Sequence, residues 1–327
     1  MIITRTPLRM SFVGGGSDIE TFYQDHGGAV VSSSIDQYIY INLNKKFDSK
    51  FRLSYSITEQ VDHFKKLKHP LVRESLNLFD ISDGLEISSI ADIPSKGTGL
   101  GSSSAFTVGL IHALLHYTNK SITKDILAEY ACDIEINKCK EPIGKQDQYA
   151  SAFGDLNFIQ FHKNGEVNVE RINCKDSIKT SLEDRILVFY TGITRKTSNV
   201  LEQQKKNLRN DEKVAIMRQM VDLAHEMKRE LESGNIDVIG NILHENWILK
   251  KQLTDDISNQ KIDQYYETAI KAGAEGGKLM GAGSGGFLLF LVEKDKQKKV
   301  INALKDLKHK IIKFDRDGSK LIYNDSL

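Results

Sequence analysis

Residues 94–105 read Pro-Ser-Lys-Gly-Thr-Gly-Leu-Gly-Ser-Ser-Ser-Ala, a glycine-and-hydroxyl loop that runs directly into an apolar helix expected over 105–117. Gly97, Gly99 and Gly101 carry no Cβ, so the backbone can turn sharply there and bring its N–H groups against a ligand. Ser102, Ser103 and Ser104 open the helix, whose first N–H groups have no intrahelical acceptor and carry positive partial charge. Backbone donors, hydroxyls and a helix N-terminus that converge on one spot make an anion site, and phosphate is the anion such sites most often hold. A strand expected over 85–90 before the loop, with the helix after it, argues against a flexible linker.

The loop is not one of the commoner phosphate motifs. No window satisfies Gly-x-x-x-x-Gly-Lys-Ser/Thr, since Gly277-Lys278 is followed by Leu279. Counting Gly-x-Gly-x-x-Gly from Gly97 puts Ser102 where the third glycine belongs. Residues 281–286, Gly-Ala-Gly-Ser-Gly-Gly, match that pattern formally, but an apolar strand expected over 287–292 follows, whereas a dinucleotide turn must open a helix. Small residues there suit a tight loop that lets backbone approach a substrate. The His-Arg-Asp and Asp-Phe-Gly triplets of protein kinases are absent.

Composition narrows the class. The 327 residues suffice for two domains, and 45 Lys and Arg against 44 Asp and Glu leave a formal charge of +1. That balance argues against nucleic acid or an anionic membrane surface as partner. Cys132, Cys139 and Cys174 form no CxxC pair, which argues against a disulfide framework and fits a reducing compartment. No stretch has the length and apolarity of a signal peptide or a membrane span, so a cytoplasmic location is expected. His112 and His116 share a helix face at a metal-like spacing, but no acidic residue sits between them, and they read as packed or hydrogen-bonded histidines. Trp247 reads as core or interface.

Patterning predicts strands over 29–31, 35–43, 156–161, 167–172 and 186–190, with 156–172 a hairpin around Asn164-Gly165. Helices are expected over 64–79, 121–138, 198–208, 212–233, 236–253, 264–272 and within the lysine-rich 294–310, followed by a last strand over 310–314. Strands with helices segregated between them indicate an α+β chain of two domains, 1–175 and 176–327.

The Pro-x-x-x-Gly-Leu-Gly-Ser-Ser-Ser pattern resembles the central motif of the GHMP kinases, which phosphorylate small molecules such as galactose, homoserine and mevalonate. Arg5-Thr-Pro-Leu-Arg-Met-Ser-Phe-Val-Gly-Gly-Gly-Ser-Asp18 resembles that family's first motif, and Lys278-Leu-Met-Gly-Ala-Gly-Ser-Gly-Gly-Phe287 its third. Three motifs in family order, from residue 5 to residue 287, cover nearly the whole chain. The resemblance implies an N-terminal α/β domain of the ribosomal S5 second-domain type and a C-terminal ferredoxin-like α+β domain. It implies ATP and Mg2+ as cofactors, with Lys96, Gly97, Thr98, Gly99, Leu100, Gly101, Ser102, Ser103 and Ser104 binding the nucleotide.

Phosphoryl transfer needs cradled phosphates, a cation against developing charge and a carboxylate to orient or deprotonate the acceptor hydroxyl. Asp147, in a polar turn within Gly144-Lys-Gln-Asp-Gln-Tyr-Ala150, stands where the galactose and mevalonate branches place an aspartate base. Since the homoserine branch lacks it, an orienting role stays open. Glu135 can pair with Lys138 or reach a hard cation; by resemblance it is the magnesium ligand, with Ser103 adding a hydroxyl. Arg9 could hold a phosphoryl group through two parallel hydrogen bonds. Gly15, Gly16, Ser17, Asp18, Gly283 and Ser284 are the remaining expected substrate contacts. Asp18 answers to a sugar-binding aspartate, but Gly-Gly-Gly-Ser-Asp replaces the galactose branch's Gly-Glu-His-Thr-Asp type of run, which argues against free galactose.

The first motif and 144–154 together most resemble sugar-1-kinases that act on D-glycero-D-manno-heptose 7-phosphate, which supply GDP-heptose for capsule or surface polysaccharide. Arg195 and Lys196, in Thr191-Gly-Ile-Thr-Arg-Lys196, could bind its 7-phosphate. Fucokinase-like enzymes are the alternative, and a non-catalytic sugar sensor of the same fold is the alternative from another class. A nucleotide and a sugar phosphate are thus the expected partners. The sequence leaves both a homodimer and the choice between ATP and GTP open.

Overall fold

The computed structural model describes residues 1–93, 97–193 and 197–325. In chain order the elements are β1 (Ile2–Val13), α1 (Glu20–His26), β2 (Gly28–Lys45), β3 (Phe51–Ser54), β4 (Thr58–Val61), α2 (Pro70–Leu78) and β5 (Leu85–Ala91). Then come α3 (Ser102–Tyr117), α4 (Lys124–Cys132), α5 (Gln146–Phe153), β6 (Leu156–Phe161), β7 (Val167–Arg171), α6 (Asp176–Arg185) and β8 (Ile186–Tyr190). The chain continues through α7 (Thr197–Asn207), α8 (Asp211–Ser233), α9 (Ile239–Lys251) and α10 (Gln260–Ala272). It ends with β9 (Gly276–Leu279), β10 (Phe287–Leu291), α11 (Gln297–Ala303), β11 (Lys308–Lys310) and β12 (Lys320–Asn324).

The first sheet runs β12-β1-β2-β5-β3-β4, with β6 also on β2 and β7 on β6. The strands expected over 29–31 and 35–43 are one long strand, β2, which has β1 along one edge and on the other pairs through its first residues with β6 and through its last with β5. Pro7 is tolerated in β1 because it sits at a register shift against β2 and beyond the stretch that β12 covers. Helix α3 lies on this sheet with 13 of its 16 residues buried, which explains why its sequence is apolar all round. Gly109 permits the close packing, since a Cβ there would lie 2.8 Å from Thr6 Oγ1. The second sheet is antiparallel in the order β11-β8-β10-β9, the 4-1-3-2 arrangement of a ferredoxin-like domain, with four helices between its first two strands in sequence.

Several expected elements take other forms. The helix over 64–79 is broken at Pro70: a short 3-10 turn at Phe64–Lys66 precedes α2, because the residue before a proline is disfavoured in helical conformation. The helix over 121–138 starts at Lys124, capped by the Thr123 hydroxyl, and after Cys132 widens into a π-helical stretch at Asp133–Lys138. The lysine-rich helix is confined to α11, and the last expected strand is β11, with Phe314 joined to Ile35 only by a bridge. Helix α6 carries little apolar signal, its buried residues being Lys179 and Leu182. Lys179 Nζ donates to both carboxylate oxygens of Asp155 at 2.9 Å, tying α6 to the first sheet just beyond the expected boundary at 175. The chain also returns at its end to place β12 on β1.

His112 and His116 stack at 5.1 Å, and the His112 Nδ1 shares a 2.9 Å hydrogen bond with Ser319 Oγ. Burial, reinforced by His116, pushes the His112 imidazole down to about 4, so it is a neutral packing residue. Between pH 6.5 and about 4 the unfolded chain binds a proton at this position that the folded protein refuses. Its contribution to stability is therefore present above pH 6.5 and lost as pH falls. Replacing His112 with Asn should flatten the decline of the urea midpoint across that window relative to the parent protein.

Candidate active site

Three segments distant in sequence meet in a cleft of about 320 Å3 between the two sheets' domains. Gly97, Gly99 and Gly101 all adopt positive φ (68°, 75° and 74°), the turn that their lack of a Cβ allows. Gly101 immediately precedes α3, so the unpaired first-turn amides of that helix open onto the cleft with Ser102, Ser103 and Ser104. The glycine-rich loop after β9 packs against this turn: Phe287 N donates to Thr98 O at 3.2 Å, and a Cβ on Gly99 would lie 2.3 Å from Met280 O.

Arg9 and Asp147 form the centre of the site. Arg9 Nε donates to Asp147 Oδ1 at 2.7 Å and Nη2 to Oδ2 at 2.6 Å, a two-pronged pairing of guanidinium and carboxylate. A third prong, Nη1, donates to Gly99 O at 2.5 Å and fastens the pair to the glycine loop. Arg9 is buried on β1, while Asp147 lies in the first turn of α5, a helix where a turn was expected, and keeps one side open to the cleft. A carboxylate has about four lone-pair positions, so two Arg9 bonds leave room for an acceptor hydroxyl.

Glu135 comes from the π-helical stretch and is wholly buried. Ser103 Oγ donates to its Oε1 at 2.8 Å and Gln148 Nε2 to its Oε2 at 2.6 Å. Lys138 pairs instead with Asp133. Burial pushes the Glu135 carboxyl up to about 7, against hydroxyl and amide donors that favour its ionised form. A carboxylate and a hydroxyl side by side are oxygen donors of the kind that a hard divalent cation takes. Among the described residues no group of three or more His, Cys, Asp or Glu side chains could hold a metal. Ser103 and Glu135 therefore suit an ion that takes its other ligands from phosphate and water.

Asp18 is cradled on the opposite wall, its Oδ1 accepting from Gly16 N at 2.9 Å and its Oδ2 from Gln146 N at 3.1 Å. Burial raises its pKa above the ordinary carboxylate value despite these donors. Gly15 and Gly16 line the same wall. The other expected residues are placed behind the surface. Ser17 Oγ bonds within the turn to Ala29, Leu100 is core, and Ser284 Oγ donates to Asp256 O at 2.5 Å with Gly283 packed on Ile257. From that loop it is Gly281 and Ala282 that reach the cleft. Lys145 turns away to Gly165 O. Lys96, Arg195 and Lys196 lie outside the described residues.

The second domain also contributes residues that motif reading did not single out. Gln204 of α7 lies over Gly16, 2 % exposed, and its Nε2 has no hydrogen-bond partner among the described residues. Asn246 and Lys250 of α9 are buried in series with Ile239, Ile242, Leu243 and Trp247. Asn246 Oδ1 accepts from Gly14 N at 3.1 Å, and Lys250 Nζ donates to Gly281 O at 2.5 Å. Their signal in the sequence is two polar residues on the apolar stripe of a helix.

The model of the GHMP kinases' N-terminal domain matches residues 63–155, and that of their C-terminal domain residues 227–310. The chain is 33% identical over 319 residues, 93% of each protein, to a D-glycero-alpha-D-manno-heptose 7-phosphate kinase from Campylobacter jejuni. It is 26% identical over 321 residues to a bifunctional fucokinase/GDP-fucose pyrophosphorylase from Arabidopsis thaliana, covering 89% of this chain and 30% of that protein. Its fold is that of a D-glycero-D-manno-heptose 1-phosphate kinase from Bacteriodes thetaiotaomicron, with a TM-score of 0.80 at 23% identity over 99% of this chain and 100% of that one. A helix-tipped glycine loop, an Arg–Asp pair and a buried Glu–Ser pair, framed by these matches along nearly the whole chain, make this protein a member of the GHMP kinase family.

Proposed function

We propose that the protein transfers the γ-phosphoryl group of ATP to the anomeric hydroxyl of D-glycero-D-manno-heptose 7-phosphate. The observation that carries this reading is the near full-length similarity to a kinase named for that substrate. The reading places the reaction in the cytoplasm, in the supply of activated heptose for surface polysaccharide.

In this mechanism residues 97–104 and the first turn of α3 hold the triphosphate. Asp18 and the Gly15–Gly16 backbone orient the sugar. Asp147, fixed by Arg9, accepts the proton of the C1 hydroxyl as its oxygen bonds to the γ-phosphorus and the bond from that phosphorus to the β-bridging oxygen breaks. Ser103 and Glu135 would hold Mg2+, which when bound neutralises charge on the phosphates. Gln148 keeps the Glu135 carboxylate aimed by its hydrogen bond.

Turnover measured with ATP against a panel of sugars and sugar phosphates tests the substrate. A site that pairs a second phosphate rejects the unphosphorylated sugar strongly, because its cations would be left unpaired. The heptose 7-phosphate should thus exceed free heptose, mannose and fucose in kcat/KM. L-Fucose as best substrate would overturn the assignment, and absence of turnover with every acceptor would favour a sensor. Asp147→Asn should lower kcat by on the order of a hundredfold with ATP affinity little changed. Near-normal kcat would reduce Asp147 to an orienting group. Glu135→Gln should raise the Mg2+ concentration for half-maximal activity by roughly tenfold or more, read from magnesium titrations at saturating ATP.

A further inference from the structure

Lys250 is 4 % exposed, lines the cleft, and makes one hydrogen bond, to Gly281 O at 2.5 Å. It forms no ion pair among the described residues. Buried ammonium groups are ordinarily paired, because an isolated charge away from water is costly. Burial pushes its pKa down to about 8, with Arg9 adding to the effect and Asp18 and Asp147 opposing it. One carbonyl contact leaves two of its three N–H donors without an acceptor among the described residues.

Its place defines what it serves. Gly281, which holds Lys250, packs directly on Gly99: a Cβ on Gly281 would lie 2.5 Å from Gly99 Cα. Gly99 O is in turn bound by Arg9 Nη1, and Arg9 clasps Asp147. Lys250 thus stands at the junction of the phosphate loop and the Arg9–Asp147 pair, through which a phosphoryl group must pass on its way from nucleotide to acceptor. Arg9 has three of its five N–H groups bonded, two to Asp147 and one to Gly99 O, so its plane is set by that pair, whereas Lys250 is held at a single carbonyl. Lys278 is further back, buried and bound to Phe12 O.

We propose that Lys250 is the cation that contacts the transferring phosphoryl group, supplied by the second domain, while Arg9 serves chiefly to fix Asp147. The inference rests on the kinase reading above but not on the identity of the acceptor. The group in flight spreads negative charge over its three equatorial oxygens, and a compact ammonium on a flexible stem can follow that charge as the phosphorus moves.

Calorimetric titration without any sugar tests it. Magnesium-ADP and magnesium-ADP with aluminium fluoride, a mimic of the planar phosphoryl group, are bound to the parent protein and to Lys250→Met, Lys250→Gln and Lys250→Arg. The Met and Gln variants should bind ADP within about twofold of the parent but lose on the order of a hundredfold for the fluoride complex, the scale of one lost charge-stabilising donor. Arg should restore most of that loss. Retained ADP binding doubles as the check of folding, and Gln stands in should Met fail it. An equal loss for ADP and its fluoride complex would overturn the proposal in favour of a structural tie between α9 and the 281 loop. Unchanged fluoride affinity, with a raised KM for the sugar phosphate alone, would overturn it in favour of a substrate-phosphate contact. Failure of heptose 7-phosphate as acceptor would leave these titrations unaffected and would count only against the substrate assignment.

Discussion

The site depends on two backbones touching where no side chain can stand between them. Gly99 of the first domain and Met280-Gly281 of the second pack so closely that a Cβ on Gly99 would lie 2.3 Å from Met280 O. Gly286 repeats the constraint, since its Cβ would meet Thr98 O at 2.4 Å. This contact holds the glycine loop at 97–101 against the loop that carries Gly281, whose carbonyl binds Lys250. It also makes the cleft a joint product of two sheets. Any residue larger than glycine at 99 separates the loops and with them the groups that must act on one phosphorus atom.

The charges of the cleft follow from that geometry. Asp18, Glu135 and Lys250 are all driven toward their neutral forms by burial, while Arg9 and Asp147 satisfy each other. Without ligands the site therefore holds charge at a cost. On the proposed function, phosphate would bring negative charge to Lys250 and to the α3 N-terminus, and a divalent cation would bring positive charge to Glu135. A polar cavity prepared in this way favours an anionic nucleotide with its metal over neutral molecules of similar size, before any specific contact with the sugar is counted.

The glycine-rich segments were legible in the sequence because their chemistry is local. A turn needing positive φ and a helix start each leave a mark within a few residues. Arg9, Asp18, Glu135 and Asp147 could be singled out because each stands near such a mark or matches a family position. What the sequence hid was long-range. Lys250 and Asn246 look like ordinary helix residues until the buried stripe they interrupt is found to end at the cleft, which Lys250 lines. The strand β12 is five residues of mixed polarity whose strand character comes from pairing with β1 more than three hundred residues away. Helix α6 is held by a buried ion pair, so its defining residue is a lysine that reads as surface. The π-helical stretch that delivers Glu135 has no sequence signature of its own.

Most of the polar groups of the cleft come from the first domain, while the second adds Lys250 and a wall of its own. The first supplies the glycine loop at 97–101, the Arg9–Asp147 pair and the Glu135–Ser103 pair, built on β1, α3, α5 and the π-helical stretch. Over the wall of Asp18 and Gly16 lies Gln204 of α7, a buried amide whose Nε2 donor is without a partner among the described residues. An unmet buried donor costs on the order of 1–3 kcal/mol, a penalty that an acceptor with an oxygen in the right place removes and one without it does not. Because α7 belongs to the helices between β8 and β9, changes there would, on the proposed function, bear on the sugar while leaving Arg9, Asp147, Ser103 and Glu135 in place. That separation gives a physical reason why one fold can serve acceptors as different as a heptose phosphate and mevalonate.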